Sequence, residues 1–243
     1  METAPILIIF AIFVVAVMYS SVGHGGASGY LAVMAFLAVA PEITRPTALT
    51  LNLFVAAIGN VQFYRAGHFS WRIFLPFAAT SVPMAFIGGM IHLPTQIYKI
   101  VLGAVLLAAA VRLAVKLKGD DRVNDPPIAA CLVIGAVIGL LSGLVGVGGG
   151  IFLTPILLLM RWAETRVAAG VSVLFIFVNS AAGLLGNYKQ VSVLPSEVWV
   201  WIAAAIVGGI LGSTLGSRKF DSITLRRVLA VVLLFAGAKM ILI

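Results

Sequence analysis

The chain has one cysteine, three histidines and only eight acidic residues in 243. A lone Cys131 excludes an intramolecular disulfide and any multi-cysteine metal site, and reads as a small core hydrophobe. Charge is scarce altogether, with 10% of residues charged against 62% hydrophobic and a mean hydropathy of +1.15. That leaves too little polar surface for a soluble domain, so the solvent implied is a lipid bilayer. The net charge of +8 does not mark a nucleic-acid binder, because the basic residues lie between apolar runs and form no continuous face. All the acidic residues, Glu2, Glu42, Asp120, Asp121, Asp125, Glu164, Glu197 and Asp221, fall at segment ends or in loops. No carboxylate is placed to carry protons or sodium through the membrane. A membrane-embedded enzyme would need a nucleophile with its base, or a metal cluster, and the sequence offers neither. The expectation is a non-enzyme with no cofactor and no metal.

What is present is apolar and segmented. Ten runs cover approximately 4–22, 28–40, 46–64, 71–91, 97–117, 127–146, 150–161, 167–187, 196–217 and 223–243. The first reads as a retained membrane segment, since Glu2 replaces the basic start of a signal peptide and "GHGGASG" follows without a cleavage signature. The second and seventh are short: about 13 helical residues reach roughly 20 Å, against a hydrocarbon core of about 30 Å. They are expected to be broken or re-entrant.

The halves resemble each other. "VGHGGA" at 22–27 matches "VGVGGG" at 145–150, "EITR" at 42–45 matches "ETR" at 164–166, and "VLGAVLLAAAVRLAV" from 101 matches "LAVVLLFAGAKMIL" from 229. The expected organisation is a first transmembrane repeat at 1–117, a linker at 118–126 and a second repeat at 127–243, about five segments each. If segments alternate across the membrane, twelve Lys and Arg collect on one face, among them Arg65, Arg72, Arg112, Arg161 and Arg166, and Arg45, Lys99, Lys189 and Lys239 fall on the other. Merging each short segment with its predecessor splits them eight against eight. The positive-inside rule favours the odd count, with both termini outside, and an odd number of crossings per half makes the repeats inverted. The fold class expected is an all-α polytopic membrane protein of two inverted repeats, with short helices after the glycine motifs.

Inversion gives the glycine runs a purpose. Two glycine stretches approach the midplane from opposite sides, each just before a short helix starting near Ser28 or Ile151. Glycine allows unusual backbone angles and close approach, and a helix N-terminus offers N–H groups and a positive dipole end. Two facing N-termini make an anion site without a buried cation. Gly25, Gly26, Ser28, Gly148, Gly149 and Gly150 are the candidate cradle. The competing role, tight helix packing, fits Gly135, Gly139 and Gly143, and Gly208, Gly212 and Gly216, which recur every four residues. A dinucleotide fingerprint is excluded by the missing strand context and spacing.

The paired "GHGGASGYLAVMAF" and "GLVGVGGGIFLTPILLL", with the length and two-half layout, resemble the sulfite exporter TauE/SafE family, also called the toluene sulfonate uptake permease family. The resemblance covers essentially the whole chain. It implies a multi-pass transporter of the bacterial inner (cytoplasmic) membrane, with members associated with sulfite, sulfoacetate and related organosulfonates. The chain departs from its own repeat symmetry, with His24 and Ser28 where the second half has Val147 and Ile151.

Polar residues inside the segments complete the candidate list. Asn52 and Asn60 lie on the third segment, and Ser172 and Asn179, seven apart and so on one helical face, on the eighth. Amides and hydroxyls can donate to sulfonate or sulfite oxygens; equally, they can bond between helices, at about 0.6–2 kcal/mol each. Thr50 is a weaker candidate, and Gln62 and Asn187 read as interfacial. His24 is the one ionisable group placed deep in the membrane, able to bind an anion, relay a proton or bond a nearby carbonyl. The partners expected are a small anionic substrate and the bilayer. The leading function is a carrier for small sulfur oxyanions, weakly favouring export; the alternative is a carrier or channel for another small anion such as a carboxylate.

Overall fold

A computed structural model of the chain describes residues 3–21, 24–114, 123–191 and 194–216, with scattered helical positions between 230 and 242. The tenth predicted segment and most of the linker therefore lie outside the described residues, as do basic residues such as Lys116, Arg122, Arg218 and Lys239. The described secondary structure is helical throughout: α1 (Thr3–Ser21), α2 (Ala27–Phe36), α3 (Pro41–Arg65), α4 (Trp71–Met90), α5 (Thr95–Ala114), α6 (Ile128–Val145), α7 (Gly150–Leu159), α8 (Thr165–Gly186), α9 (Tyr188–Val191) and α10 (Val198–Gly216). Four stretches, 42–65, 71–90, 128–145 and 166–186, are long and apolar enough to cross a membrane. At 10 residues each, α2 and α7 reach only about 15 Å, half the hydrocarbon thickness.

The helices are apolar on their outward faces as well. Phe10, Val133, Val137, Leu185 and Trp199 are all exposed, which suits lipid and not water. Lipid gives apolar helices little reason to cluster, so close backbone approach has to hold the bundle together. Glycines supply it. A side chain at Gly135, Gly139 or Gly143 of α6 would strike the carbonyl of Phe77, Ser81 or Ala85 of α4, in that order. The numbers rise together, so α4 and α6 run parallel. Gly208 and Gly212 of α10 meet Phe13 and Val17 of α1 in the same sense. By contrast, Gly59 of α3 meets Val173 of α8 while Leu49 meets Gly183, so α3 and α8 are antiparallel. Each half thus lends its first helix to a helix of the other half, and α3 and α8 cross between these pairs.

Two buried apolar clusters flank that crossing. One joins α1, α2, α3, α5 and α10 through Ile12, Tyr30, Leu31, Leu51, Leu102 and Ile202. The other joins α4, α6, α7 and α8 through Phe77, Cys131, Ile138, Leu153 and Phe175. Cys131 is fully buried there, as a small hydrophobe should be.

One helix start differs from expectation. Pro46 reads as the beginning of the third segment, yet α3 begins at Pro41 and carries Pro46 inside it. Pro46 is the sixth helical residue, past the N–H groups that lack intrahelical partners, so it leaves the Glu42 carbonyl without its usual i+4 donor in the second turn. Thr44 Oγ1 bonds back to the Ala40 carbonyl at 2.9 Å. The extra turn draws Arg45 into the helix and into the protein.

Candidate functional site

Both glycine motifs make turns that feed a short helix. Gly26 (φ 97°) and Gly149 (φ 83°) are the N-caps of α2 and α7, in the left-handed region that costs other residues most. The helices begin at Ala27 and Gly150, one residue from the expected Ser28 and Ile151.

The two turns meet at Asn52, halfway along α3. Asn52 Oδ1 accepts the Ala27 N–H at 3.1 Å, and Nδ2 donates to the Val147 carbonyl at 3.3 Å and to Ser180 Oγ at 3.4 Å. A Cβ at Gly25 would overlap the Asn52 amide, and one at Gly148 would stand 2.5 Å from Asn52 Nδ2 and 3.0 Å from Ser180 Oγ. Gly25, Gly148 and Gly150 also close on one side chain, Ile176. Ser180 and Ile176 carry no sequence signature; only the antiparallel register of α3 and α8 brings them here.

The remaining candidates scatter around this junction. Ser28 Oγ donates to Tyr19 Oη at 2.9 Å, facing α1. Ser172 Oγ receives Thr154 Oγ1 at 2.7 Å, so it braces α7. Thr50 Oγ1 donates within its own helix to the Pro46 carbonyl. Asn179 is fully buried, and neither its amide nitrogen nor its oxygen has a hydrogen-bond partner. Asn187, read as interfacial, is 1% exposed. The end of α8 is covered by α3 and α4, which sequence cannot show.

A narrow crevice with room for about one water molecule runs from the junction towards the Arg65 end of α3. Ser20, His24, Gly25, Val55, Ala56, Gly59, Phe63, Val173 and Ser213 line it. It is far smaller than the roughly 300–1,000 Å³ of pockets for drug-sized ligands, so it marks looser packing beside the junction and not a formed binding cavity. Its inner end is polar, with His24 and the Ser20 hydroxyl, whose oxygen is buried without a partner. Its walls are apolar.

Towards the other end of α3 the packing is closed. Arg45 is 4% exposed, with its guanidinium donating to the carbonyls of Ile91 (2.9 Å), Gly88 (3.0 Å) and Gly89 at the end of α4. His24 is therefore not the one ionisable group inside the bundle.

Residues 8–240 match the family described as Sulfite exporter TauE/SafE. A probable membrane transporter protein of Sinorhizobium fredii, y4hK, is 39% identical over 246 residues, covering 99% of this chain and all of the relative. YunE of Bacillus subtilis, also a probable membrane transporter protein, is 22% identical over 85% of this chain and 83% of its own length. MJ0441 of Methanocaldococcus jannaschii, described in the same words, is 27% identical over 74% of this chain and 71% of its own length. No solved structure matches the chain. Apolar helices joined by glycine contacts, two glycine turns meeting inside them and a match along nearly the full length lead to one conclusion: this multi-pass membrane protein belongs to the TauE/SafE family of membrane transporters.

Proposed function

We propose that the protein carries small sulfur-containing oxyanions, sulfite or organosulfonates, by alternating access around the junction of its two glycine turns. The observation that carries this reading is the meeting of both turns on Asn52 at mid-α3, with a crevice reaching the junction from the Arg65 side. N–H groups at the starts of α2 and α7, the His24 and Ser20 side chains and the glycine backbones are the proposed anion contacts. Asn52 holds the two turns together, and Ser172 braces the second. An anion held by neutral donors is released more readily than one gripped by a fixed cation.

The halves at 1–117 and 127–243 act as inverted repeats in this reading. Two parallel pairs, α1 with α10 and α4 with α6, and the antiparallel α3 and α8 support it, because a two-fold axis in the membrane plane exchanges the pairs and crosses α3 with α8. The Arg65 end faces the cytoplasm of a bacterial inner membrane and both termini lie outside. Export needs no coupling ion, since an inside-negative potential favours an exiting anion by about 2.3 kcal/mol per charge per 100 mV.

Flux into and out of proteoliposomes tests the reading, with sulfite, a small organosulfonate, sulfate and acetate compared. Saturable transport with exchange, preferring a sulfur oxyanion, is expected. A preference for acetate would replace the substrate class, and linear conductance would replace the carrier with a channel.

A further inference from the structure

We propose that Arg45 is a gating residue: its bonds to the end of α4 hold shut the half of the pathway opposite the crevice, and their release opens it. The inference rests on the alternating-access reading above and adds the group that controls it.

Position comes first. Arg45 lies two turns before Asn52 on α3, and the crevice begins on the other side of Asn52 with Val55 and Ala56. Its guanidinium ties α3 to the carbonyl end of α4, and its stem packs under the second glycine turn, where a Cβ at Gly146 would stand 3.1 Å from Arg45 Cγ. Tyr98 Oη donates to the Val145 carbonyl beside that turn at 3.4 Å and straps α5 to the same end.

The second observation is a set of buried polar atoms without partners on this closed side. Arg45 Nε, Thr47 Oγ1 and Ser142 Oγ have none, and both amide atoms of Asn179, beside Ser180 at the level of Asn52, are likewise unpartnered. Thr47 lies between Arg45 and Asn52. Asn179 is one turn from Gly183, which packs on Gly143 next to Ser142. Each such group is costly when dry, and a packed membrane core has no structural use for several together. They are the lining expected of a pathway that fills with water in another conformer.

The third is an asymmetry between matched residues. "EITR" and "ETR" pair Arg45 with Arg166, yet Arg45 is buried and Arg166 exposed. In a transporter of exchanging repeats, such a difference marks which side is closed.

Single cysteines in a Cys131→Ala background test the gate in proteoliposomes. Ser20→Cys reports the crevice and Thr47→Cys the closed side, each probed from one face at a time with a small membrane-impermeant methanethiosulfonate. With Arg45 present, Ser20→Cys reacts from the Arg65 side and Thr47→Cys is protected. Arg45→Gln is expected to raise the Thr47→Cys rate about tenfold or more from the opposite side alone and to slow Ser20→Cys, and Arg45→Lys to restore protection in part. Thr47→Cys still protected in Arg45→Gln would overturn the gate, and so would reaction from both sides with Ser20→Cys unchanged, the mark of loosened packing. Anion flux in the same vesicles keeps the claims apart. No transport of any anion by Thr47→Cys vesicles with Arg45 present sinks the carrier; normal flux there with Thr47→Cys still protected in Arg45→Gln sinks the gate alone.

Discussion

At the scale of single residues, Asn52 is bonded on both of its amide atoms. A buried amide in an apolar helix could face a ligand, but here two of its bonds join turns about 120 residues apart in sequence and the third reaches Ser180 of α8. Asn52→Ala would strand the Ala27 N–H and the Val147 carbonyl, each worth about 1–3 kcal/mol when left unpaired. The variant should therefore unfold several degrees earlier in detergent and lose transport. Asn60→Ala, at a half-buried position further along the same helix, should shift the transition by less than ~1 kcal/mol. Equal shifts would mean that Asn52 is not the clamp. Asn52 and Asn60 look alike in sequence. What separates them is the register of α3 against α8, and nothing in either residue's neighbours encodes that.

At the scale of elements, glycines of one type divide into two kinds of work, and their spacing already distinguishes them. The four-residue rhythm of Gly135, Gly139 and Gly143 is a helix face, and α4 lies against it; three glycines in a row cannot be a face, and they form the turn before α7. Gly139→Val should be among the most damaging changes in the chain, because its side chain would meet the Ser81 backbone, which cannot rotate away. Overpacking costs typically 1–3 kcal/mol and more against backbone. Lower yield and an earlier thermal transition should follow, whereas Val133→Leu on the lipid-facing side of α6 should change neither. Segment limits were legible to within a few residues because hydropathy follows helices closely. The start of α3 was not, since Pro46 resembles a boundary and only the contact with α4 reveals that the helix begins a turn earlier. Arg45 was misplaced with it, as a charge between segments.

At the scale of the molecule, the all-helical architecture and the family could be read from composition and the paired motifs. The packing around Arg45 and the crevice beyond Asn52 could not, because both depend on how distant helices meet. Arg45 bonds to backbone carbonyls at the end of α4, a pattern with no sequence signature, and the crevice is walled by ordinary residues such as Val55, Ala56 and Val173.

The central claim is that an anion crosses through this crevice to the glycine junction. Potential-driven sulfite flux should be compared in proteoliposomes of the wild type, Ala56→Leu, which fills the crevice, and Val133→Leu as the lipid-facing control. Folded Ala56→Leu protein should lose flux by about tenfold or more, ~1.4 kcal/mol on the barrier, while Val133→Leu transports normally. Ala56→Leu transporting sulfite at the wild-type rate would contradict the account.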